Sequence, residues 1–298
     1  MLDVGDGNHV YWEQCGNPDG KPAVVLHGGP GSGCTPGHRR WFDPAAYRIV
    51  LLDQRNCGRS TPHASEQATD LAANTTDHLI ADLELLRAHL DVERWQLFGG
   101  SFGSVLALAY AQRHPARVSE LVLCALATGR QAEVDLLTRG LGPLFPEAWV
   151  KFRDGAGDAD IVAGYARRLN SPSERERAAR DWCAWEDAIT PTMGPSPRYA
   201  EPAFRLAFAR IVTHYWSQGH FLGPDGALLA GAGRLAGIPG VLVQGLLDFG
   251  NLAGTPWLLA HALPDAELVI VDEGAHETAT PGMAGALLAA TDRSRQLA

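Results

Sequence analysis

Residues 97–104 read Leu-Phe-Gly-Gly-Ser-Phe-Gly-Ser and join an apolar, strand-like run to an Ala- and Leu-rich helical pattern. A strand that turns sharply into a helix leaves little room beside the residue at the turn, so glycines are expected on both sides of it. Ser101 occupies that central position, between Gly99 and Gly103. The pattern is weak by itself, but its place between strand and helix makes Ser101 the first candidate nucleophile.

Composition excludes several classes of partner. The 298-residue chain carries 25 Lys and Arg against 34 Asp and Glu, a net charge of −9, with no clustered basic run. Nucleic acid and anionic membrane surfaces are therefore not expected to bind. Residues 1–10 hold no basic segment followed by an apolar stretch, and no later apolar run reaches the length of a membrane span. We expect a cytoplasmic protein.

The cysteines give no sign of a disulfide frame or a metal site. There are five, an odd number, and they are scattered without a Cys-x-x-Cys pair: Cys15, Cys34, Cys57, Cys124 and Cys183. Such spacing is typical of reduced thiols. The sequence predicts no metal.

Short β-rich runs recur along the chain, with helical patterns between several of them. They cover Val10–Cys15, Ala23–Leu26, Tyr47–Asp53, Trp95–Phe98, Val118–Leu123, Val241–Gln244 and Leu268–Val271. Continuous apolar runs favour strands buried on both faces, and hence a mostly parallel sheet. Each run ends near Gly, Asp or Asn. In α/β proteins the catalytic and ligand-binding loops lie at these carboxyl ends of the strands.

Strand signals disappear between about Thr128 and Gly233, and the pattern there becomes helical. We therefore predict an α/β core at residues 1–127, an inserted helical cap at 128–233, and the rest of the core at 234–298. One cap helix is predicted to begin near Ser171-Pro172 and to run to Ile189. A second carries apolar residues at helical spacing from Phe204 to Tyr215.

A serine nucleophile needs a base, and the base needs an orienting acceptor. Asp248 follows the sixth predicted strand and His276 follows the seventh. The chain order Ser, Asp, His is the one expected of an α/β-hydrolase fold, so we predict a Ser101–Asp248–His276 triad. An Asp after a strand is more often a turn residue and a loop His is usually solvated; Asp265, Asp272 and His261 compete for these roles.

An oxyanion hole requires two backbone N–H groups directed at the developing negative charge. The residue after the nucleophile, Phe102, supplies one, and the glycine-rich loop 27–31 after the early strand should supply the other. Such a loop is more often a simple turn. It could also be mistaken for a phosphate-binding loop, but it lacks the lysine and spacing of that motif.

Together these segments resemble the proline iminopeptidase family, serine aminopeptidases of the α/β-hydrolase fold. The resemblance covers nearly the whole chain. The matching residues are His27-Gly28-Gly29-Pro30-Gly31-Ser32-Gly33, Asp53-Gln54-Arg55-Asn56-Cys57-Gly58-Arg59-Ser60, Asn74-Thr75-Thr76, Gly99-Gly100-Ser101-Phe102-Gly103-Ser104 with Leu106-Ala107-Leu108-Ala109-Tyr110, and Trp182-Cys183-Ala184-Trp185-Glu186. Members of the family release a free N-terminal residue, typically proline, without a metal or organic cofactor.

The resemblance also implies roles for individual residues. It assigns Ser101, Asp248 and His276 to the triad and the amides of Gly29 and Phe102 to the oxyanion hole. Glu186 corresponds to a cap glutamate that binds the substrate's α-ammonium group, a charge-assisted contact. A solvated carboxylate or a salt-bridge partner is the ordinary alternative for Glu186. The implied substrate pocket comprises Glu186, Trp185, Trp182, Val212 and Tyr215.

The chain departs from the family pattern around this pocket. Members commonly read Ala-Arg-Ile-Glu-Asn-His-Tyr in the later cap helix, whereas this chain reads Ala-Arg-Ile-Val-Thr-His-Tyr, so Val212 replaces a second carboxylate. Losing one of two carboxylates around a buried cation costs about 2 kcal/mol of recognition. Leu246 replaces a usual arginine, and Glu277 replaces the serine after the histidine. Members also carry about two dozen residues before the region Asp3–Gly7.

Three functional hypotheses follow. The first is an aminopeptidase that releases an N-terminal proline or small neutral residue through an acyl-enzyme. The second is a relative with an altered pocket that hydrolyses an amide or ester of a small-molecule or N-acylated substrate. The third is a noncatalytic binding protein on a hydrolase fold, which the intact catalytic residues argue against. The expected partner is a small peptide or a small-molecule amide; nothing indicates the oligomeric state.

Overall fold

The computed structural model describes residues 1–192 and 194–296. Within them the backbone forms the strands Leu2–Asp3 (β1), His9–Gly16 (β2), Lys21–Leu26 (β3), Tyr47–Asp53 (β4), Trp95–Gly100 (β5), Val118–Cys124 (β6), Gly240–Gly245 (β7) and Ala266–Val271 (β8). The α-helices are Thr76–His89 (α1), Phe102–Arg113 (α2), Gln131–Asp135 (α3), Pro146–Ala156 (α4), Ile161–Leu169 (α5), Arg175–Ile189 (α6), Pro202–Trp216 (α7), Ala227–Ala230 (α8), Gly254–Ala262 (α9) and Pro281–Ser294 (α10).

The strands form one sheet in the order β1-β2-β4-β3-β5-β6-β7-β8. The β1–β2 and β2–β4 pairs are antiparallel, and every other pair of adjacent strands is parallel. The predicted mostly parallel sheet is confirmed. All seven predicted strands are present with bounds within about two residues, whereas the two-residue β1 is too short to show a periodicity.

Both faces of the central strands are buried, which explains their continuous apolar runs. In β3, Val24 and Leu26 belong to the core on one side of the sheet, and Ala23 and Val25 belong to the core on the other. Side chains alternate between the two faces of a strand, so in a sheet covered by helices on both sides the positions on both faces are mostly apolar.

The described chain between β6 and β7 contains helices and turns but no strand, and it has a core of its own. Trp182, Phe152, Tyr165 and Val212 are among its buried members. Helix α7 packs in two directions, because Val212 faces this core while Ile211 packs against the core of the sheet. The division at 128–233 stays a prediction, and below we use "the cap" for these residues.

The predicted start of the first cap helix is wrong. Helix α6 begins at Arg175, and the Ser171 carbonyl accepts hydrogen bonds from the N–H groups of Glu174 and Arg175 at 3.1 and 3.0 Å. Ser171 therefore belongs to a turn that precedes the helix. The predicted end at Ile189 is confirmed.

Membrane spans are not found in the part of the chain that the structure describes, where every helix is too short or too polar to cross a bilayer.

Candidate active site

Ser101 lies at the turn between β5 and α2, in a strained backbone conformation. Its φ of 55° and ψ of −126° are rare for a residue with a side chain. The turn is held from both sides, because the Ser101 N–H donates to the Cys124 carbonyl at 3.1 Å and the Ser101 carbonyl accepts from the Ser104 N–H at 2.8 Å. This strain is what a strand-to-helix elbow imposes on its central residue.

The glycines around the turn are required by close backbone packing. A Cβ on Gly103 would lie 2.0 Å from the Leu26 carbonyl oxygen, and one on Gly99 would lie 2.4 Å from the Gly103 carbonyl oxygen. A Cβ on Gly28 would lie 3.1 Å from Ser101 Cβ. The glycine-rich loop after β3 therefore passes directly beside the Ser101 side chain.

Asp248 and His276 are brought together as predicted from their chain order. His276 Nδ1 lies 2.9 Å from Asp248 Oδ2, with the Asp248 side chain almost completely buried and the His276 side chain 31% exposed. The charge of Asp248 raises the pKa of His276 above its ordinary value, because it stabilises the imidazolium. With Nδ1 donating to the carboxylate, the other ring nitrogen is left to accept a proton.

Two features that the sequence analysis missed hold the Asp248 loop in place. Gln244, at the end of β7, bridges this loop and the chain after β6: its Nε2 donates to the Asn251 carbonyl at 2.7 Å, and its Oε1 accepts from the Leu126 N–H at 2.9 Å. Asp248 Oδ1 accepts from the Asn251 N–H at 3.0 Å. A glutamine inside an apolar strand was the one signal available in the sequence.

No hydrogen bond joins the Ser101 hydroxyl to His276 among the described residues, although both side chains line one cavity. Contacts between a nucleophile and its base often shorten only when substrate binds. Asp248 is thus hydrogen-bonded to His276, and Ser101 lines the same cavity as His276.

The expected oxyanion loop is fixed by its histidine. His27 Nδ1 lies 3.0 Å from the Gly28 carbonyl, and His27 Nε2 accepts from the Gln54 N–H at 3.0 Å. Burial lowers the pKa of His27 to about 4, so its ring is neutral and this pattern sets its tautomer. Gly29 has a φ of 111°, which favours glycine.

The N–H groups of Gly29 and Phe102 have no hydrogen-bond partner among the described residues. Unpaired backbone donors of this kind are rare away from water. Gly29 lines the cavity beside Ser101 and His276, and Phe102 N–H belongs to the first turn of α2, directly after Ser101. The oxyanion hole itself stays a prediction.

The cavity that Ser101 and His276 line has a volume of about 500 Å³. Glu186, on α6, lies on its wall, and the indole Nε1 of Trp182 donates to Glu186 Oε1 at 3.1 Å. Burial raises the pKa of Glu186 to about 7, despite the opposing effects of the Trp182 hydrogen bond and the charge of His276. Asp187 and Glu277 also line the cavity, but Glu186 is the carboxylate that the family resemblance assigns to the ammonium.

The other four residues expected in the substrate pocket are not on the cavity wall. Trp182 and Val212 are buried in the cap core. Trp185 is buried with its indole donating to the Leu137 carbonyl at 2.9 Å, and the Tyr215 hydroxyl donates to Asn74 Oδ1 at 2.9 Å. Of the five residues expected in the pocket, Glu186 lines the cavity together with Ser101, and the other four do not.

Several wall residues were missed because they lie in the irregular chain between α6 and α7. Arg198 and Tyr199 come from the turn Pro197–Ala200, and both line the cavity. That segment shows no hydrophobic periodicity, so nothing in the sequence placed it over the site.

Metal-binding clusters are not found in residues 1–192 and 194–296, since no three His, Cys, Asp or Glu side chains converge there to hold an ion.

Comparison with known proteins shows the family of the chain. The family described as alpha/beta hydrolase fold matches residues 21–279. A probable proline iminopeptidase from Streptomyces coelicolor is 61% identical over 303 residues, covering 98% of this chain and 94% of the relative. A proline iminopeptidase from Xylella fastidiosa is 44% identical, covering 98% and 95%.

A solved structure shows the same fold at much lower identity. The crystal structure of a proline iminopeptidase from Mycobacterium smegmatis aligns with a TM-score of 0.66 at 18% identity, covering 99% of this chain and 97% of that one. The predicted α/β-hydrolase architecture is confirmed by this fold and by the family match. On its sequence identity to the curated relatives over almost its full length, the chain belongs to the proline iminopeptidase family of the α/β-hydrolase fold.

Proposed function

We propose that this protein is a serine hydrolase that releases an N-terminal proline, or a small neutral residue, from peptides through an acyl-enzyme. One observation carries the proposal: a strained serine, an Asp-paired histidine and the carboxylate of Glu186 share one cavity. The names of the relatives at 61% and 44% identity support the substrate class.

In the acylation step, His276 Nε2 takes the proton of the Ser101 hydroxyl as Oγ bonds to the scissile carbonyl carbon. The N–H groups of Gly29 and Phe102 donate to the oxygen as it becomes negative, and Asp248 stabilises the imidazolium that forms. His276 then gives its proton to the leaving nitrogen, the C–N bond breaks, and the N-terminal residue remains esterified to Ser101.

In the deacylation step, water replaces the departed amine. His276 takes a proton from the water, the hydroxide oxygen bonds to the ester carbonyl carbon, and Ser101 leaves with the proton returned by His276. The free amino acid is released and the enzyme is regenerated.

Glu186 provides the recognition of the substrate's free amine. Its carboxylate lies on the wall where it can pair with an ammonium next to the scissile carbonyl, and Trp182 orients it through the indole hydrogen bond. A charge-assisted contact of this kind is stronger in a cavity shielded from water than in solvent.

A second candidate is hydrolysis of a small-molecule or N-acylated amide or ester. The observation that favours it is Val212, which is buried in the cap core at the position where the family carries a second carboxylate. With one carboxylate instead of two, a blocked amine would be excluded less strongly.

Three substrates distinguish the two candidates: a prolyl arylamide, its N-acetyl form, and a p-nitrophenyl ester without an amine. The aminopeptidase proposal predicts that kcat/KM for the free amine exceeds that of the N-acetyl form by about a hundredfold, and that Glu186→Gln removes most of this preference. Equal rates for free and blocked arylamides, or turnover of the ester alone, would support the second candidate instead.

A cytoplasmic location is also part of the proposal. All five cysteines are unpaired, and four of them are buried. Free thiols of this kind are typical of reducing compartments.

A further inference from the structure

Arg198 brings a positive charge to the wall of the catalytic cavity. It belongs to the turn Pro197–Ala200 between α6 and α7 and lines the cavity with Ser101 and Glu186. Of the described residues that line this cavity, no other is a lysine or an arginine. Its guanidinium has no carboxylate within ion-pairing distance in the described part of the chain.

Two other shielded arginines of this protein use their donors within the fold. Arg55 forms a two-point contact with Asp82, with both N–O distances at 2.7 Å. Arg210 donates to the backbone carbonyls of Ala64, Glu66 and Thr69. These two side chains stabilise the fold, and neither lines the cavity, although the Arg210 Nε has no partner among the described residues.

Arg198 is held in place with donors to spare. One of its terminal nitrogens donates to the Ser32 carbonyl, and its guanidinium carbon lies 3.9 Å from the centre of the Phe204 ring. A guanidinium carries several N–H donors in a planar fork, and a single carbonyl satisfies only one of them. The stacking on Phe204 fixes the plane of the group and leaves the remaining donors for a ligand.

Arg198 and Glu186 occupy different parts of the cavity wall. Glu186 interacts electrostatically with His276. Arg198 donates to the Ser32 carbonyl, directly after the glycine-rich loop 27–31, and its charge interacts with His27 and His38. The side chain of Tyr199 interacts electrostatically with both Glu186 and Arg198. Among the described residues no ion pair joins Glu186 and Arg198. The wall also carries Asp187 and Glu277, and Arg198 forms an ion pair with neither of these described residues.

We propose that Arg198 binds the C-terminal carboxylate of the substrate, so that the preferred substrates are short peptides with both termini free. The inference depends on the proposed function and adds the class of leaving group to it. In a dipeptide the amine and the carboxylate lie on opposite sides of the scissile carbonyl, and a cavity lined by both Glu186 and Arg198 offers a partner of opposite charge for each terminus. A guanidinium and a carboxylate match in geometry and can form two parallel hydrogen bonds.

The test compares a proline-first dipeptide, its C-terminal amide and a prolyl arylamide, which has no carboxylate. Each is assayed with the wild type, Arg198→Gln, Arg198→Lys and Arg167→Gln. Gln keeps a donor for the Ser32 carbonyl, and Lys keeps the charge without the planar fork. Arg167, on α5, is 60% exposed and pairs with Asp158, so its variant controls for removal of a cap arginine.

The wild type is expected to cleave the free dipeptide about 10- to 100-fold faster, in kcat/KM, than the dipeptide amide. Arg198→Gln should abolish this preference by lowering kcat/KM for the free dipeptide more than for the amide and the arylamide. Arg198→Lys should retain part of the preference, and Arg167→Gln should retain all of it. A tripeptide should be cleaved less efficiently than the dipeptide, because each added residue moves the carboxylate by up to about 3.5 Å.

Two results would overturn the proposal. One is equal cleavage of the free dipeptide and its amide by the wild type. The other is an equal loss on all three substrates in Arg198→Gln, which would mean that Arg198 only supports the Ser32 loop. If the wild type cleaves none of the prolyl substrates, the proposed function is wrong and this inference with it; an active arylamide assay without carboxylate preference rejects Arg198 alone.

Discussion

Glu186 and His276 both hold protons more tightly than such side chains do in water, for different reasons. Burial raises the pKa of Glu186 to about 7, since the cavity destabilises the carboxylate. The negative charge of Asp248 raises the pKa of His276, since it stabilises the imidazolium. In the proposed mechanism both groups must have lost their protons, Glu186 to bind an ammonium and His276 to act as a base.

Activity should therefore fall on the acid side, and more steeply for a free-amine substrate. As the pH falls through about 7, Glu186 takes up a proton and loses its attraction for the ammonium. His276 is also protonated as the pH falls, and its pKa lies above the ordinary value of 6.5. We expect kcat/KM for the prolyl arylamide to fall with a slope of about two log units per pH unit, and that for an ester without an amine with a slope of about one.

The Glu186→Gln variant is the control for this assignment. It should reduce the arylamide slope to that of the ester, because only His276 then titrates. Identical slopes for both substrates in the wild type would contradict the role of Glu186 in binding the amine.

At the scale of elements, the junction of β3, β5 and α2 decides whether the site can form. Helix α2 approaches β3 so closely that a Cβ on Gly103 would lie 2.0 Å from the Leu26 carbonyl oxygen. Backbone atoms cannot move aside as a flexible side chain can. The glycine at this position is therefore needed for packing as well as for the turn at Ser101.

We expect Gly103→Ala to lower the free energy of unfolding by about 1–3 kcal/mol and to reduce kcat, because α2 must move away from β3 and carry Ser101 with it. Gly285→Ala is the matched control. Gly285 lies inside α10 with open space around it, so alanine should stabilise the protein by about 0.5–1 kcal/mol. Urea unfolding measures both changes, and a Gly103→Ala variant as stable as the wild type would show that the junction is not tightly packed.

Elements with a clear period were predictable and irregular ones were not. The buried strands are continuous apolar runs, and α7 follows its predicted apolar spacing from Phe204 to Tyr215. The start of α6 was wrong because Ser171-Pro172 has the composition of a helix start but forms a turn. Strand β1 was missed because a pair of residues carries no pattern.

At the scale of the whole molecule, the site forms where loops from distant parts of the chain meet at the carboxyl ends of the strands. Ser101, Asp248 and His276 each follow a strand, so their meeting could be inferred from the order of the elements. Which cap side chains reach the cavity could not, because that depends on how α6 and the turn after it lie over the sheet. Glu186 reaches the cavity, whereas Trp182 and Trp185 on the same helix are buried in the cap core.

Helix α7 connects the cap to the oxyanion loop. A Cβ on Gly31 would lie 3.1 Å from the Ile211 side chain, so the glycine-rich loop packs directly against this helix. Ile211 faces the core of the sheet while Val212 faces the core of the cap. The two cores are thus joined beside the catalytic cavity.

The most direct test of the account is the activity of Ser101→Ala on a prolyl arylamide, with the fold checked by circular dichroism and thermal unfolding. Removing the nucleophile leaves only substrate binding and the oxyanion donors, so kcat should fall by more than about a thousandfold while the fold is retained. The small side chain at a strained turn should leave the melting temperature close to that of the wild type. A folded Ser101→Ala variant that keeps more than about a tenth of the wild-type activity would contradict the assignment of Ser101 as the nucleophile.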